Sequence, residues 1–284
     1  SIDLLNLQKK KLKYKIKIKK INDNFKLNDL KDNKLPVYDI KYKQKKAFEK
    51  ISSKSNKYIF ECFEKALKFV KNKKIIGFLN CPVSKETLFK NKHQGITEFL
   101  SKKAGKTGTE TMLIYNKKLS VSPVTTHIPL SQVSRKINQY KIVKKVKVIN
   151  NFYKKFFKKK PNFAILGLNP HNFSPLKNSE EKKIIVKAIK NLIKSKIKAK
   201  GPITPDTSFM IFKKSKFDVI IGMYHDQVLT PFKALFNFNA INVTLGLPYI
   251  RTSPDHGVAT DITGKKSANP KSLIESIKFF NFIK

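Results

Sequence analysis

Three of the five histidines in this 284-residue chain, His127, His171 and His225, stand just after apolar runs that read as β-strands. Ligands of open α/β sheets bind beyond the carboxyl ends of the strands, where side chains far apart in sequence meet on one rim. Three imidazoles with an open fourth position are a donor set for a catalytic divalent ion. No HExxH or similar local spacing occurs, so placement after strands carries this reading. Two carboxylates accompany the histidines. Asp226 follows His225 directly and reads as a proton-transfer or ligand-orienting group, or as a turn residue at the strand end. Asp206, in Pro205-Asp206-Thr207, reads equally as the start of a helix or as a second such carboxylate.

The elements that must position these groups are visible as periodicities. The run Phe217 to Met223 is a buried strand that delivers Tyr224-His225-Asp226-Gln227. A second strand, Ala240 to Leu245, runs on to Gly246, Pro248, Arg251 and Asp255-His256-Gly257. Phe163 to Leu168 leads into Asn169-Pro170-His171, and a hairpin around Asn116-Lys117-Lys118 ends at Thr125-Thr126-His127. Ile75 to Leu79 is a further strand, followed by the loop Asn80 to Lys85. Helical spacing marks Tyr58 to Asn72, 142–157, Glu180 to Lys200 (stopped by Gly201-Pro202) and Leu273 to Phe280. Lys11 to Ile21 alternates and reads as a strand with one wet face, with Asn22 to Leu35 a polar loop. Strands alternating with helices argue an α/β fold.

The net charge of +42 would ordinarily point to nucleic acid or an anionic membrane. Only Arg135 and Arg251 are arginines, however, and the lysines run through the whole chain without a concentrated basic arm. Recognition of bases and phosphates favours the planar arginine fork, so the expectation is a lysine-biased composition with no nucleic-acid partner and no membrane partner. Against that background Arg251 reads as a group that holds a planar anion through two bonds. Cys62 and Cys81 form no CxxC, there is no secretory leader, and no apolar run reaches about 18 residues; the chain reads as a cytoplasmic protein. No GxGxxG occurs, so no Rossmann dinucleotide turn is expected.

The stretches M-Y-H-D-Q, N-V-T-L-G-L-P-Y-I-R-T-S and D-H-G-V-A-T-D-I-T-G resemble the 4-hydroxythreonine-4-phosphate dehydrogenases of pyridoxal phosphate biosynthesis. So do T-T-H-I-P-L, G-L-N-P-H and G-P-I-T-P-D-T-S-F upstream, in the same order, and the similarity covers roughly Leu35 to the C-terminus. The resemblance implies a two-domain α/β sheet-and-helix fold like that of isocitrate and isopropylmalate dehydrogenases, with the site in the cleft. One domain would comprise 1–97 with 245–284 on the dinucleotide side, and the other 98–244, carrying metal, substrate and dimer contacts. It implies NAD-dependent oxidation of 4-phosphohydroxy-L-threonine with loss of CO2. One divalent ion (zinc, magnesium or cobalt) would sit on His127, His171 and His225. Substrate contacts fall on Thr97, Lys233, Asn242 and Arg251, catalytic roles on Asp206, Asp226 and Lys233, and dinucleotide contacts on His256, Gly257 and Asp261. The family is homodimeric, so His225 is expected to complete a site begun by His127 and His171 of the other chain.

The chain also departs from the family. Its opening strand and G-[DE]-P-A-G-I-G-P-E turn are absent, so a missing first βα unit is expected. Ile96 replaces the substrate-binding histidine of G-H-T-E-F, Cys81 departs in the loop where Pro82, Val83 and Lys85 fit, and His171 is followed by Asn172-Phe173-Ser174 rather than A-G-E. These changes leave as an alternative a related dehydrogenase for another phosphorylated 3-hydroxy acid, and the +42 charge leaves a lesser one, a basic nucleic-acid-binding protein.

Overall fold

A computed structural model describes residues 1–90, 95–172, 179–265 and 267–283. The chain divides into two compact units. The first comprises Ser1–Ile76, Val83–Lys92 and Gly257–Ala268; the second comprises Gly77–Pro82, His93–His256 and Asn269–Lys284. The sequence-derived division falls elsewhere: most of 245–284, there assigned to the dinucleotide side, clusters with the large second unit.

In the first unit, α1 (Ile2–Leu12) is followed by the parallel strands β1 (Ile18–Ile21) and β2 (Leu35–Tyr38), then α2 (Asn56–Lys71) and α3 (Lys85–Phe89). The strand expected over Lys11 to Ile21 is confined to its last four residues. Local signals favour helix before it. Ser1 caps Leu4 N, Asp3 sits in the first turn, and Lys9, Lys10 and Lys11 occupy the last turn, each charge matched to the helix dipole. Lys13 then closes the helix in the left-handed region. α2 has the expected spacing, with Phe63 buried.

The second unit begins with β3 (Gly77–Leu79), α4 (Ile96–Lys103), β4 (Thr111–Tyr115), β5 (Ser120–Pro123), α5 (Val133–Lys136), α6 (Gln139–Phe157) and β6 (Phe163–Leu166). It continues through α7 (Val186–Lys194), β7 (Ala199–Ile203), α8 (Pro205–Ile211), β8 (Val219–Gly222), α9 (His225–Phe236), β9 (Ile241–Leu245), β10 (Ile250–Pro254) and α10 (Lys271–Phe282). Eight strands form one mixed sheet in the order β3-β10-β9-β4-β5-β8-β6-β7. Strand alternation sorts the core into two layers. Phe163, Ile165, Val219 and Ile221 join Ile142, Val146, Ile149, Leu192 and Phe279 from α6, α7 and α10. Ala164, Leu166 and Ile220 join Phe209, Val228 and Phe232 from α8 and α9. Helices therefore cover both faces, and the central strands read as continuous apolar runs for that reason. The helix expected over Glu180 to Lys200 ends at Lys194, because Ala199–Ile203 pairs with β6 as an edge strand. Gly201-Pro202 lies inside that strand, which is consistent with the tolerance of proline at sheet edges.

Candidate active site on the rim of the sheet

β5, β8 and β6 are neighbours and all parallel, so their carboxyl ends lie side by side. The segments bearing His127, His225 and His171 leave from those three ends. The turns are stapled together. Val124 N donates to Gly222 O at 2.7 Å, and Thr125 Oγ1 donates to Met223 O at 2.7 Å, which ties the His127 segment to the His225 segment. Gln227 does the same on the other side: its Oε1 accepts from Met223 N at 2.6 Å while its Nε2 donates to Gly167 O at 2.8 Å. Gly222 is needed here, since a Cβ would come within 2.5 Å of Val228 Cγ1.

The turn bearing His171 is held by Glu181, a residue the sequence reading passed over. Glu181 is 3% exposed, and its Oε1 accepts from Leu168 N and Asn169 N at 2.9 and 2.8 Å. Burial opposes ionisation, yet the hydrogen bonds from Asn169 and Leu168 hold the carboxyl below its ordinary value. No local signal singles it out, since it stands between Glu180 and Lys182-Lys183 at the polar start of the helical run. His171 itself adopts φ 53°, and Asn172 φ 56°, the left-handed region in which histidine and asparagine are enriched among non-glycine residues. Residues 173–178, including the departures at Phe173 and Ser174, lie outside the described residues.

His127 and His225 sit together, ring centroids 5.9 Å apart. These are the two rings that the shared-site expectation assigned to different subunits. Two imidazoles at that spacing fit two corners of one divalent ion, whose bonds to nitrogen run about 2.1 Å. Among the described residues no three His, Cys, Asp or Glu side chains gather to hold an ion, so within one chain the expected three-histidine set is not assembled. His171 Nδ1 instead lies 3.6 Å from Asp206 Oδ2, and His225 Nδ1 lies 2.7 Å from Asp226 Oδ1. Both expected carboxylates thus accompany an imidazole. Neither is buried: the Asp206 and Asp226 side chains are 57% and 77% exposed. Asp206 also occupies the first turn of α8, behind Pro205, as its helix-start reading required.

The expected anion contacts lie on β9, β10 and α9. Arg251 is the second residue of β10 and only 4% exposed. Its Nε donates to Asn80 Oδ1 at 2.7 Å and its Nη1 to Thr244 Oγ1 at 3.0 Å, both neutral acceptors. Burial pulls the guanidinium down to about 10, partly offset by the field of Glu98, so it stays charged at neutral pH. Asn242, on β9, has a buried Oδ1 with no hydrogen-bond partner. Lys233, on α9, points its Nζ at Asp255, 3.5 Å from Oδ2. Burial raises the Asp255 carboxyl, and Lys233, His225 and His256 pull it back. Thr97 lies half-buried in the first turn of α4, behind the fully apolar Ile96. His256 belongs to the second unit, whereas Gly257 and Asp261 belong to the first, where Asp261 is exposed in a short turn at Thr260–Ile262.

The lysines are less evenly spread than the sequence implied. At the opposite, amino-terminal edge of the same parallel strands, a hollow of about 530 Å³ is lined by Lys118, Lys159, Lys160, Lys198, Lys213 and Lys216. Its one acidic residue, Asp218, is paired with Lys159. No helix among the described residues is long and apolar enough to cross a membrane.

An α/β chain with this sheet has close counterparts among solved structures. The 4-hydroxythreonine-4-phosphate dehydrogenase structure from Klebsiella pneumoniae superposes with a TM-score of 0.82 at 28% identity, over 99% of this chain and 86% of that one. The family model for pyridoxal phosphate biosynthetic protein PdxA matches residues 2–280, and the chain belongs to that family. A 4-hydroxythreonine-4-phosphate dehydrogenase of Sulfurihydrogenibium sp. is 40% identical over 94% of this chain and 81% of its own length. A protein of Oceanobacillus iheyensis, provisionally named a D-threonate 4-phosphate dehydrogenase, is 35% identical over 81% of this chain and 70% of its own.

Proposed function

We propose that this chain oxidises 4-phosphohydroxy-L-threonine at its 3-hydroxyl and releases CO2, giving 3-amino-2-oxopropyl phosphate for pyridoxal phosphate synthesis. The observation that carries the reading is a charged, buried Arg251, bonded to neutral acceptors, in a chain that matches this family from residue 2 to 280. A desolvated cation of this kind is costly unless an anion completes it. Arg251 and Lys233 suit the phosphate and carboxylate of the substrate, and the orphaned Asn242 oxygen suits its ammonium group. Thr97, in the first turn of α4, would add a hydroxyl. NAD would supply the hydride acceptor, through contacts at His256, Gly257 and Asp261, and a divalent ion on the histidines the Lewis acid that polarises the hydroxyl. The chain's own proton carriers are Lys233, Asp226 and Asp206. One takes the hydroxyl proton as hydride leaves C3, and one returns a proton to the carbon that loses CO2.

The adjacency of His127 and His225 favours a homodimer in which both rings belong to one chain and the exposed His171 comes from the partner. Ile96, buried where the family has a histidine, favours a second reading: a dehydrogenase for a different phosphorylated 3-hydroxy acid such as D-threonate 4-phosphate. Formation of NADH, measured with each substrate and a divalent ion, decides between them. Turnover of the amino substrate supports the first reading, and turnover of the threonate alone would replace it with the second.

A further inference from the structure

Glu98 has no role in the chemistry above, yet it faces His127 on the rim. It occupies the first turn of α4, where a glutamate ordinarily bends back to cap its own helix. Here Gly95 is the N-cap with no side-chain cap, and the carboxylate is turned elsewhere. Its Oε1 lies 3.9 Å from His127 Nδ1, while its Oε2 is buried and accepts no hydrogen bond. Its field also supports two buried or half-buried cations, Arg251 and Lys145. One carboxylate therefore faces an imidazole of the candidate metal site and stabilises the anion-binding arginine. A buried carboxylate oxygen without a donor is unfavourable, and it persists where neighbouring groups require the charge.

We propose that Glu98 is a positioning residue for His127. It accepts a hydrogen bond from Nδ1–H as the two groups close from 3.9 Å to hydrogen-bond distance, which fixes the tautomer that leaves Nε2 unprotonated and turned to the rim. Carboxylate–histidine pairs of this kind hold metal-ligating rings in one orientation, and their removal costs about 10- to 100-fold in metal affinity. Unlike Asp226 and Asp206, Glu98 is mostly shielded from water, so its effect on its imidazole is the less screened of the three. The proposal rests on the reading of His127 as a metal ligand.

The test uses the full chain, with Glu98→Gln to keep shape and remove charge, Glu98→Asp as the conservative variant, and His127→Ala as the metal-site control. Two readouts are taken: cobalt(II) affinity from visible absorption, and the His127 tautomer from ¹⁵N NMR of the metal-free, histidine-labelled protein. Glu98→Gln is expected to weaken cobalt binding at least tenfold and to mix the His127 tautomers, with Glu98→Asp recovering part of both. Cobalt affinity within twofold of the parent and an unchanged tautomer in Glu98→Gln overturn the proposal, while loss of cobalt in His127→Ala leaves the metal reading standing. Equal cobalt retention in parent and His127→Ala overturns the metal reading itself; a tautomer change in Glu98→Gln then still supports the positioning role.

Discussion

Replacing Arg251 with methionine separates its two possible duties. Burial lowers its pKa to about 10, which corresponds to roughly 3 kcal/mol against the charged form in the fold. The hydrogen bonds to Asn80 and Thr244 return about 1.5 kcal/mol each, because each involves a charged donor and a neutral acceptor. The two contributions nearly cancel, so without ligand the arginine adds little to folding. Methionine fills similar volume, and the Thr244 hydroxyl can turn to another partner. The expected result is a stability within about 1 kcal/mol of the parent, or a Tm shift of about 2–4 °C at this chain length. Substrate binding responds differently. Truncating one member of a desolvated charge pair costs about 2–5 kcal/mol, so kcat/KM falls by at least about 30-fold. Thermal melts with and without substrate, together with steady-state kinetics, measure both quantities. A variant that unfolds, or one that keeps kcat/KM within threefold, refutes the argument that this cation is kept for an anionic ligand.

Lys145 offers a pH test: burial lowers its pKa from 10.5 to about 8. Between these values the unfolded chain binds the extra proton, so stability should rise with pH from about 8 to 10, and Lys145→Met should abolish that rise in urea melts. Subunit mixing tests the arrangement of histidines. His171→Ala with His225→Ala should regain activity, whereas His127→Ala with His225→Ala should not, since the last two rings share a chain; recovery in the second mixture would reinstate the assignment of His225 to the partner. Ile96→His should lower KM for the phosphorylated amino acid if the family's lost contact matters, and an unchanged KM counts against it. Mixed-sequence duplex DNA should bind only weakly at physiological salt, with a steep salt dependence; nanomolar binding would make the lysine hollow a nucleic-acid site.

Six strands of the second unit (β3, β4, β5, β6, β8 and β9) and the helices α6, α7 and α10 were legible because each buries a regular face. α6 and α10 show helical spacing, and β6 and β8 show short apolar runs, covered on both sides by helices. Where capping and edge effects competed with periodicity, the pattern misled. The alternation from Lys11 to Ile21 read as one strand, but Lys11 and Leu12 close α1 and only Ile18–Ile21 pairs with a partner strand, β2. The sheet edge at Ala199–Ile203 was hidden because its three middle residues, Lys200, Gly201 and Pro202, break any apolar run or alternation. At the site, the placement of all three histidines after strand ends was readable, since strand ends are where an apolar run stops. That His127 meets His225 depended on β5 and β8 being parallel neighbours, which no local pattern encodes. Glu98 and Glu181 were missed for a related reason: their partners lie 29 and about a dozen residues away, across turns.

The charge of the chain bears on how the site can be selective. With 61 basic and 19 acidic residues, the surface attracts every phosphorylated metabolite alike. Such a field raises encounter rates and is screened within about 8 Å at physiological salt, but it does not tell one anion from another. Discrimination has to come from groups that salt does not reach. Arg251 at 4% exposed, the unpartnered oxygen of Asn242, and the buried half of Glu98 are such groups. The bare oxygens of Asn242 and Glu98 are costly to keep in the empty protein, and Arg251, roughly balanced by Asn80 and Thr244, gains net stabilisation only from a ligand of matching charge and shape. The lysines, most of them exposed, can therefore vary with composition, while a change at any of these three alters what the rim accepts.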